Sequence, residues 1–146
     1  MTRYPRSGKG RKWTVAELKA IPTAWNGDSL ADGDGLVGSV RVAHDGTVSI
    51  HFRYGLKWAG KRAWHYCGTW PTASLEQIRS TRDHARAQLK SGLNPNEART
   101  ASRIERRVQV HATLETERRR AAEELPFTAM YDAWLRDGRY ARWVLM

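Results

Sequence analysis

The sequence predicts an α+β fold, in which a three-stranded antiparallel β-sheet packs on one helix and is followed by a long linker helix and a further short helix. Polar and apolar residues alternate between Leu36 and Cys67, a period of two that is typical of strands. Glycine-containing turn signals divide this stretch, and from Ser74 onward the apolar residues recur at helical spacing instead. Strands joined by short turns and then followed by a helix indicate a sheet that is covered on one side.

The composition limits the size of the core and the class of partner. A chain of 146 residues that is 40% hydrophobic can bury one modest core plus an appended segment. Its formal net charge of +10, from 25 Lys and Arg against 15 Asp and Glu, favours a polyanionic partner such as nucleic acid. No segment approaches the roughly 20 apolar residues that span a bilayer, and the start lacks an apolar signal core. The single Cys67 cannot form an internal disulfide, which fits a reducing cytoplasm.

The first residues predict a basic arm and a short helix. Residues 1–12 carry five basic side chains, two glycines and no acid, so we expect either a mobile arm that follows phosphates or a merely solvated tail. Thr14 followed by Glu17 is a capping-box pattern, which predicts a helix over Val15–Ile21 that ends at Pro22. A turn-rich stretch follows this helix.

Three strands follow from the alternation. The first covers Leu36–Val42, and Asp45-Gly46 then predicts a hairpin turn. The second covers Val48–Tyr54, where the apolar and polar faces are the most clearly separated. A turn at Ala59-Gly60 leads into the third strand, Lys61–Cys67. The predicted sheet is therefore an antiparallel meander.

Two helices are predicted beyond the sheet. Ser74 and Gln77 form a second capping-box pattern, and Gly92 with the following Asn-Pro pair ends the helix that it opens. This helix should cover one face of the sheet and leave the other face available. Residues 96–124 are charged, Arg-rich and without Gly or Pro, which predicts a largely exposed connecting helix.

A last apolar stripe follows a break at Leu125-Pro126. Its residues fall at i, i+3, i+4, i+7 and i+8, the spacing of a complete helix face that needs a partner. They are Phe127, Met130, Tyr131, Trp134 and Leu135. The stripe predicts self-association or docking on another protein.

The uncovered face of the predicted sheet carries the candidate binding site. Basic and aromatic side chains alternate with the apolar set there, and a narrow ribbon of strands fits the DNA major groove, where Arg pairs with guanine edges and Lys neutralises phosphates. Ordinary surface charge is the simpler interpretation, but exposed aromatic residues beside arginines are typical of interfaces. Single-stranded RNA readers also use aromatic residues on a sheet, so RNA remains an alternative. The predicted DNA-binding residues are Arg41, His51, Arg53, Lys57, Lys61, Arg62, Trp64 and Tyr66.

Other binding patterns are weak. The GxGxxG spelling from Gly33 to Gly38 is followed by a strand, whereas a nucleotide-binding loop needs a helix there. The three aspartates at 28, 32 and 34 lack the acid that would complete a calcium loop and are better explained as turn residues. A zinc site built from His44, His51, His65 and Cys67 is disfavoured because the predicted sheet sends His51 and His65 to opposite faces. We expect no metal, no cofactor and no catalytic residue.

Several motifs, in order, resemble the arm-type DNA-binding domain at the N-terminus of phage integrases, which are tyrosine recombinases. The segment Leu30 to Leu36 resembles the S-D-G-x-G-L turn of that family, Phe52-Arg53-Tyr54 its F-R-Y strand and Gly60-Lys61-Arg62 its G-K-R turn. Cys67 to Pro71 resembles the L-G-x-Y-P strand end, and Ser74 to Arg79 the S-L-x-x-A-R helix, which stops at Gly92-Leu93-Asn94-Pro95. The similarity runs from about Trp13 to Glu97. Ala31, Trp64 and His65 depart from the family pattern.

The resemblance implies a fold, a partner and a set of boundaries. The sheet would enter the major groove of arm-type sites that flank a phage or genomic-island attachment site, in a bacterial cytoplasm and close to the nucleoid. The implied domains are a basic flexible arm at 1–12, the arm-type DNA-binding domain at 13–95, a helical linker at 96–124 and the start of a core-binding domain at 125–146.

The resemblance also implies that the chain is not itself an enzyme. The catalytic domain of a tyrosine recombinase would follow, and its motifs are not recognisable in this chain, where Tyr131 and Tyr140 lack the surrounding cations that such a nucleophile needs. Residues 138–146 match no part of the family, which suggests a frameshifted or truncated gene, with a deliberate short product as the alternative. A regulatory protein that docks on or competes with a full-length integrase is the alternative function.

Overall fold

The computed structural model describes residues 1–124 and 127–136. The chain divides into two units, Met1–Arg99 and Thr100–Met146. The first unit contains the sheet and its covering helices, and the described part of the second is helical. In the described ranges, no helix combines the length and the apolar character needed to cross a membrane.

The first unit is built around a five-stranded sheet in the order β1-β2-β3-β4-β5. Neighbouring strands are antiparallel except for β1 and β2, which are parallel. The strands are β1 (Thr2–Arg3), β2 (Ser29–Gly33), β3 (Leu36–Val42), β4 (Val48–Trp58) and β5 (Lys61–Trp70). The helices are α1 (Val15–Lys19), α2 (Leu75–Lys90), α3 (Pro95–Glu123) and α4 (Phe127–Arg136), with a 3-10 turn at Thr23–Trp25.

The α+β class is confirmed, but the sheet is larger than the predicted three strands. The predicted strands correspond to β3, β4 and β5, and the last two are longer than expected. The additional β2 lies in the stretch that was predicted to be turns, because its sequence Ser-Leu-Ala-Asp-Gly contains residues that are usually depleted in strands. A tight turn through Asp34, with a positive φ of 51°, joins β2 to β3.

The basic arm predicted at 1–12 is not wholly free, which corrects that expectation. Thr2 and Arg3 pair with Ser29 and Leu30 as β1. Arg3 Nε donates to a carboxylate oxygen of Asp28 at 2.8 Å, and this bond lowers the pKa of the Asp28 carboxyl. The Arg3 guanidinium also lies 4.2 Å from the centre of the Trp25 ring. The first strand is therefore held by backbone pairing and by its own arginine.

Both predicted capping boxes are confirmed. The Thr14 hydroxyl accepts from the backbone N–H of Glu17, and the Glu17 carboxylate accepts from the backbone N–H of Thr14. Ser74 and Gln77 make the same reciprocal pair at the start of α2. Each box satisfies donors that a helix N-terminus leaves open, which fixes where the two helices begin. Helix α1 is shorter than predicted and ends at Lys19.

One face of the sheet forms the core with α1 and α2. Gly38 of β3 lies directly above this core, since a Cβ there would stand 2.7 Å from the Ile50 side chain and 2.9 Å from that of Phe52. The buried side chains come from alternate strand positions and from the helices. They are Trp13, Leu18, Ile21, Leu30, Leu36, Val40, Ile50, Phe52, Cys67, Trp70, Leu75 and Ile78. The predicted division into covered and uncovered faces is confirmed.

A buried ion pair joins α2 to β2. The Asp32 carboxylate is fully buried and accepts from Arg79 Nε at 2.9 Å, from an Arg79 terminal nitrogen at 2.8 Å and from the Trp13 backbone N–H at 2.8 Å. The same Arg79 nitrogen donates to the Trp13 carbonyl oxygen at 2.6 Å. The interpretation of Asp32 as a turn residue is therefore wrong. A two-pronged arginine contact compensates its burial.

The buried His65 fixes the beginning of α3. Its Nδ1 lies 2.8 Å from the Asn96 side-chain oxygen, and Arg99 donates to its Nε2 at 2.6 Å. Asn96 also donates to the Trp64 carbonyl oxygen at 3.0 Å. Burial lowers the pKa of His65, and the nearby Arg99 charge lowers it further, although the Asn96 bond acts in the opposite direction. These partners explain how a histidine occupies the covered face of the third predicted strand.

The helices beyond the sheet are exposed along their described length. Helix α3 spans 29 residues and confirms the predicted connecting helix, with its weak apolar stripe through Ile104, Val108 and Leu114 open to solvent. Helix α4 presents the predicted stripe of large apolar residues, which are between 40% and 80% exposed. The break predicted at Leu125-Pro126, Tyr140 and the unfamiliar tail at 138–146 lie outside the described residues.

Candidate nucleic-acid interface

The outer face of the sheet is the surface opposite the core on the last three strands. The pairing of β4 with β5 sets its residues opposite one another: Arg53 lies across from Tyr66, Gly55 from Trp64, and Lys57 from Arg62. Strands β3, β4 and β5 lie within the described residues, and they contribute no Asp or Glu to the outer face. The outer face consists of Val37, Ser39 and Arg41 of β3, Ser49, His51, Arg53, Gly55 and Lys57 of β4, and Arg62, Trp64, Tyr66 and Thr69 of β5.

The structure brings most of the predicted binding residues together on this face. Arg41 is exposed near the end of β3, while Arg53 and Lys57 are exposed on β4 and Arg62 on β5. Lys61 differs from the others because it pairs with Trp58, in the alternate set of positions beside the Ala59-Gly60 turn. His51, Trp64 and Tyr66 complete the predicted set on the outer face.

Two arginines stack on one tryptophan. The Arg53 guanidinium lies 4.1 Å from the centre of the Trp64 ring, and the Arg62 guanidinium lies 4.7 Å from it. Both distances are within the range of cation–π attraction, which is strongest for tryptophan. The three side chains form a cluster, called here the arginine–tryptophan cluster, that spans β4 and β5.

Gly55 provides the space in which the Trp64 ring lies. The two residues are directly paired, and a Cβ at Gly55 would stand 3.1 Å from the outer edge of the Trp64 six-membered ring. Any larger residue at this position would push the ring away from β4. The same ring lines a shallow depression of about 290 Å³ together with Val37, Lys57 and Arg62.

A second group on the outer face is held by hydrogen bonds. The Tyr66 hydroxyl bonds to the Thr69 hydroxyl, which lies 3.3 Å from Nδ1 of His51. The His51 and Tyr66 rings also contact each other at 6.4 Å between centres. An irregularity between Phe52 and Arg53 inserts one extra residue in β5 and keeps Thr69 on the same face as Tyr66. Tyr66 itself remains half exposed.

The electrostatics of this face favour an anionic partner. Lys57 and Arg62 stand directly opposite each other, an arrangement of like charges that costs stability in an isolated sheet. Arg41 and Arg53 add further positive charge along β3 and β4. A row of cations with no acid among them raises the local concentration of polyanions and gains stability when phosphates neutralise it.

Sequence reasoning missed two residues of this site. Gly55 was not selected because glycine offers no functional group, although its place opposite Trp64 in a hairpin would have identified it. Thr69 was missed because the third strand was predicted to end at Cys67, whereas β5 continues to Trp70. Both errors have the same source, since side-chain neighbours across strands depend on register and length.

The histidines and the cysteine do not form a candidate metal centre. Among the described residues, no group of three or more His, Cys, Asp or Glu side chains could hold an ion. His51 lies on the outer face and His65 on the covered one. Burial raises the pKa of the Cys67 thiol to about 11, so this group is protonated at neutral pH and is neither a ready ligand nor a nucleophile.

Comparison with known proteins adds one finding. Residues 13–102 match a family model described as an Arm DNA-binding domain, an arm-type domain found in phage integrases. This range contains all of β2 to β5, α1 and α2, and therefore the whole outer face. No curated protein matches the chain.

Proposed function

We propose, from the premise that this chain belongs to the Arm DNA-binding domain family found in phage integrases, that its outer face binds double-stranded DNA in a sequence-specific manner. The observation that carries the proposal is the acid-free outer face, where three arginines and one lysine project together from three adjacent strands. The family supports DNA as the partner, and the outer face supports the choice of binding residues.

A two-stranded part of the sheet suits the DNA major groove. Neighbouring strands lie about 4.8 Å apart, so the β4–β5 hairpin, at the edge of the five-stranded sheet, is a narrow ribbon. The major groove of B-DNA is about 12 Å wide and accepts a β-ribbon. In this orientation Arg41, Arg53 and Arg62 would meet base edges or phosphates.

The remaining cations of the site would contribute phosphate contacts. Lys57 and Lys61 flank the β4–β5 turn, where they would neutralise backbone charge, and so would the basic side chains of residues 1–12 beyond β1. Tyr66 would pack against the groove wall beside the hydrogen-bonded His51.

The biological role that we propose is that of the N-terminal, DNA-binding part of a site-specific recombinase. The module would recognise arm-type sites flanking the attachment site of a phage or genomic island, in the bacterial cytoplasm near the nucleoid, and so support DNA integration and recombination. The proposal assigns binding, and no bond-breaking step, to the described residues. Tyr131, on α4, stacks with the Phe127 ring and contacts the Trp134 ring.

A tiled binding experiment tests the proposal. The purified chain is titrated with duplexes that span its own genomic flanks, beside Arg53→Ala and beside Arg86→Ala, which removes the same charge from an exposed position on α2. We expect tight binding to a few repeated sites that is lost in Arg53→Ala and retained in Arg86→Ala. Uniform weak binding, with equal losses in the two variants, would mean that the chain binds DNA only through its general positive charge and would contradict sequence-specific recognition.

Single-stranded competitors separate duplex recognition from RNA binding. Each bound duplex is challenged with its own two strands and with the corresponding RNA. Because a groove-reading ribbon requires paired bases, we expect the duplex to compete best. Stronger competition by single-stranded RNA would assign the aromatic residues of the outer face to base stacking.

The exposed face of α4 favours a second function, association with another protein. Phe127 is 80% exposed and Met130 is 56% exposed on one helix face. A regulatory chain could dock on a full-length integrase through this stripe. Deleting the residues after Leu125 tests this function: loss of self-association with intact DNA affinity would assign the stripe to protein contacts, whereas loss of both would mean that it supports DNA binding.

A further inference from the structure

We propose that Trp64 is a positioning residue, which holds the Arg53 and Arg62 guanidiniums so that their N–H edges are presented to guanines of the bound duplex. The inference rests on the proposed function and deepens it, because it states which base the outer face prefers and which residue sets the preference. The role of Trp64 is derived from its contacts in this structure.

Arg53 and Arg62 are both held by contact with the Trp64 ring. A guanidinium that stacks on a ring uses its flat face for that contact and keeps its N–H groups, which lie in its plane, available to other acceptors. Arg53 and Arg62 both stack in this way on Trp64, at 4.1 and 4.7 Å from the ring centre. Arg79 makes the opposite arrangement, since its N–H groups are taken by Asp32 and Trp13.

Fixing an arginine side chain on binding has an entropic cost. A free arginine side chain loses rotamer entropy when it is fixed in one geometry. Stacking in the unbound protein would lower that cost before DNA arrives. The ring lies against the space left by Gly55, and the Trp64 backbone carbonyl accepts from the Asn96 side chain.

Guanine has the hydrogen-bond acceptors that match an arginine. Two parallel N–H donors match the O6 and N7 acceptors that guanine alone presents together in the major groove, and this pairing is the commonest specific arginine contact. A lysine cannot reproduce it, since its ammonium is a point charge. Trp64 is already used as a stacking surface by two guanidiniums, which favours this role over direct stacking on an unpaired base.

The probe for the test is a duplex selected by the full chain from a pool with a randomised central segment. Each guanine of the selected duplex is then replaced in turn by 7-deazaguanine, which keeps the base pair but lacks the N7 acceptor. We expect at least one replacement to weaken binding by the wild-type chain, by about 5- to 150-fold. This difference between guanine and 7-deazaguanine is the quantity to be followed in the variants.

Three variants separate positioning from a general structural effect. Trp64→Leu keeps an apolar side chain and all the charges but removes the ring, and we expect it to lose most of the guanine preference while the salt dependence is unchanged. Trp64→Phe should restore part of the preference. Gly55→Val displaces the ring while leaving every residue of the arginine–tryptophan cluster in the chain, so it should show the same loss as Trp64→Leu.

Tyr4→Leu is the matched control, since it removes an exposed aromatic ring that lies outside the outer face. We expect it to keep the guanine preference. If Trp64→Leu and Gly55→Val retain the full preference, or weaken both duplexes equally, Trp64 is not a positioning residue although duplex binding stands. If the wild-type chain selects no duplex at all, the proposed function and this inference both fail.

Discussion

The two sides of the sheet use arginine in opposite ways. On the covered side, Arg79 gives its N–H groups to the buried Asp32 carboxylate and the Trp13 carbonyl. On the outer face, Arg53 and Arg62 lie over an aromatic ring, which neither neutralises their charge nor uses their N–H groups. The comparison teaches that an arginine paired with a carboxylate supports the fold, whereas an arginine held by stacking is kept available for a partner.

The largest expected effect comes from breaking the covered arrangement. Arg79→Met leaves the fully buried Asp32 carboxylate without its guanidinium, and we expect a loss of about 3–5 kcal/mol in the free energy of unfolding. Arg53→Met removes the same groups from the outer face and should change that free energy by no more than about 0.5 kcal/mol. Urea unfolding of both variants measures the contrast. Equal losses would mean that the two arginines do not differ in role.

A pair of glycine substitutions gives the next effect. In Gly38→Ala the new Cβ would meet the buried Ile50 and Phe52 side chains, so we expect destabilisation of about 1–3 kcal/mol. In Gly55→Ala the new Cβ meets only the edge of the half-exposed Trp64 ring, which can move toward solvent. Thermal unfolding should therefore show a clear loss for Gly38→Ala and a smaller one for Gly55→Ala. The reverse order would contradict the assignment of the two faces.

The covered histidine predicts how stability depends on pH. Because burial and the Arg99 charge lower the pKa of folded His65, the unfolded chain binds a proton first, near the ordinary value of 6.5. Stability should be complete above that pH and should decrease as the pH falls below it, by at most about 1.4 kcal/mol per pH unit. The measurement is the free energy of unfolding between neutral and mildly acidic pH.

His65→Phe and His51→Gln are the matched variants for this measurement. His65→Phe removes the covered titrating group and should flatten the dependence, whereas His51→Gln, on the outer face, should leave it unchanged. The groups facing His65 are Asn96, Arg99 and the more distant His84. A slope that persists in His65→Phe would assign it to another group.

The smallest expected effect sharpens the description of the outer face. Lys57→Gln should weaken duplex binding modestly and reduce the log–log salt slope by about 0.9, the value for one phosphate contact. Lys90→Gln removes an equal charge from the end of α2 and should leave the slope unchanged. Titrations at several salt concentrations provide both slopes, and equal slopes for the two variants would remove Lys57 from the interface.

The parts of the fold that the sequence predicted are those with local signals. Alternation along Leu36–Val42 and Val48–Tyr54 depends only on neighbouring residues, and so do the two capping boxes. Strand β2 was missed because its Asp32 is typical of a turn until Arg79, far along the chain, is placed beside it. Strand β1 is only two residues long and carries no pattern of its own.

The sequence predicted which residues share the outer face, but it did not predict the contacts between their side chains. Alternation alone put Arg53, Trp64 and Tyr66 on the same side. The two-residue turn also sets Trp64 across from Gly55, but the contact of two arginines with one ring depends on side-chain conformations that alternation does not determine. The family motifs helped in a different way, since the Asp32 and Arg79 that they contain are the two partners of the buried ion pair.

The separation of Asp32 and Arg79 has a consequence for synthesis on the ribosome. The two residues are 47 positions apart, and a ribosome that adds about 5–20 residues per second needs roughly 2–10 s to proceed from one to the other. During that interval the emerging aspartate has no guanidinium, so we expect nascent chains to remain protease-sensitive until α2 has left the exit tunnel. Arrested chains in which Arg79 is still inside or already outside the tunnel would test this, because protection that precedes its emergence would show that the β-meander closes without the ion pair.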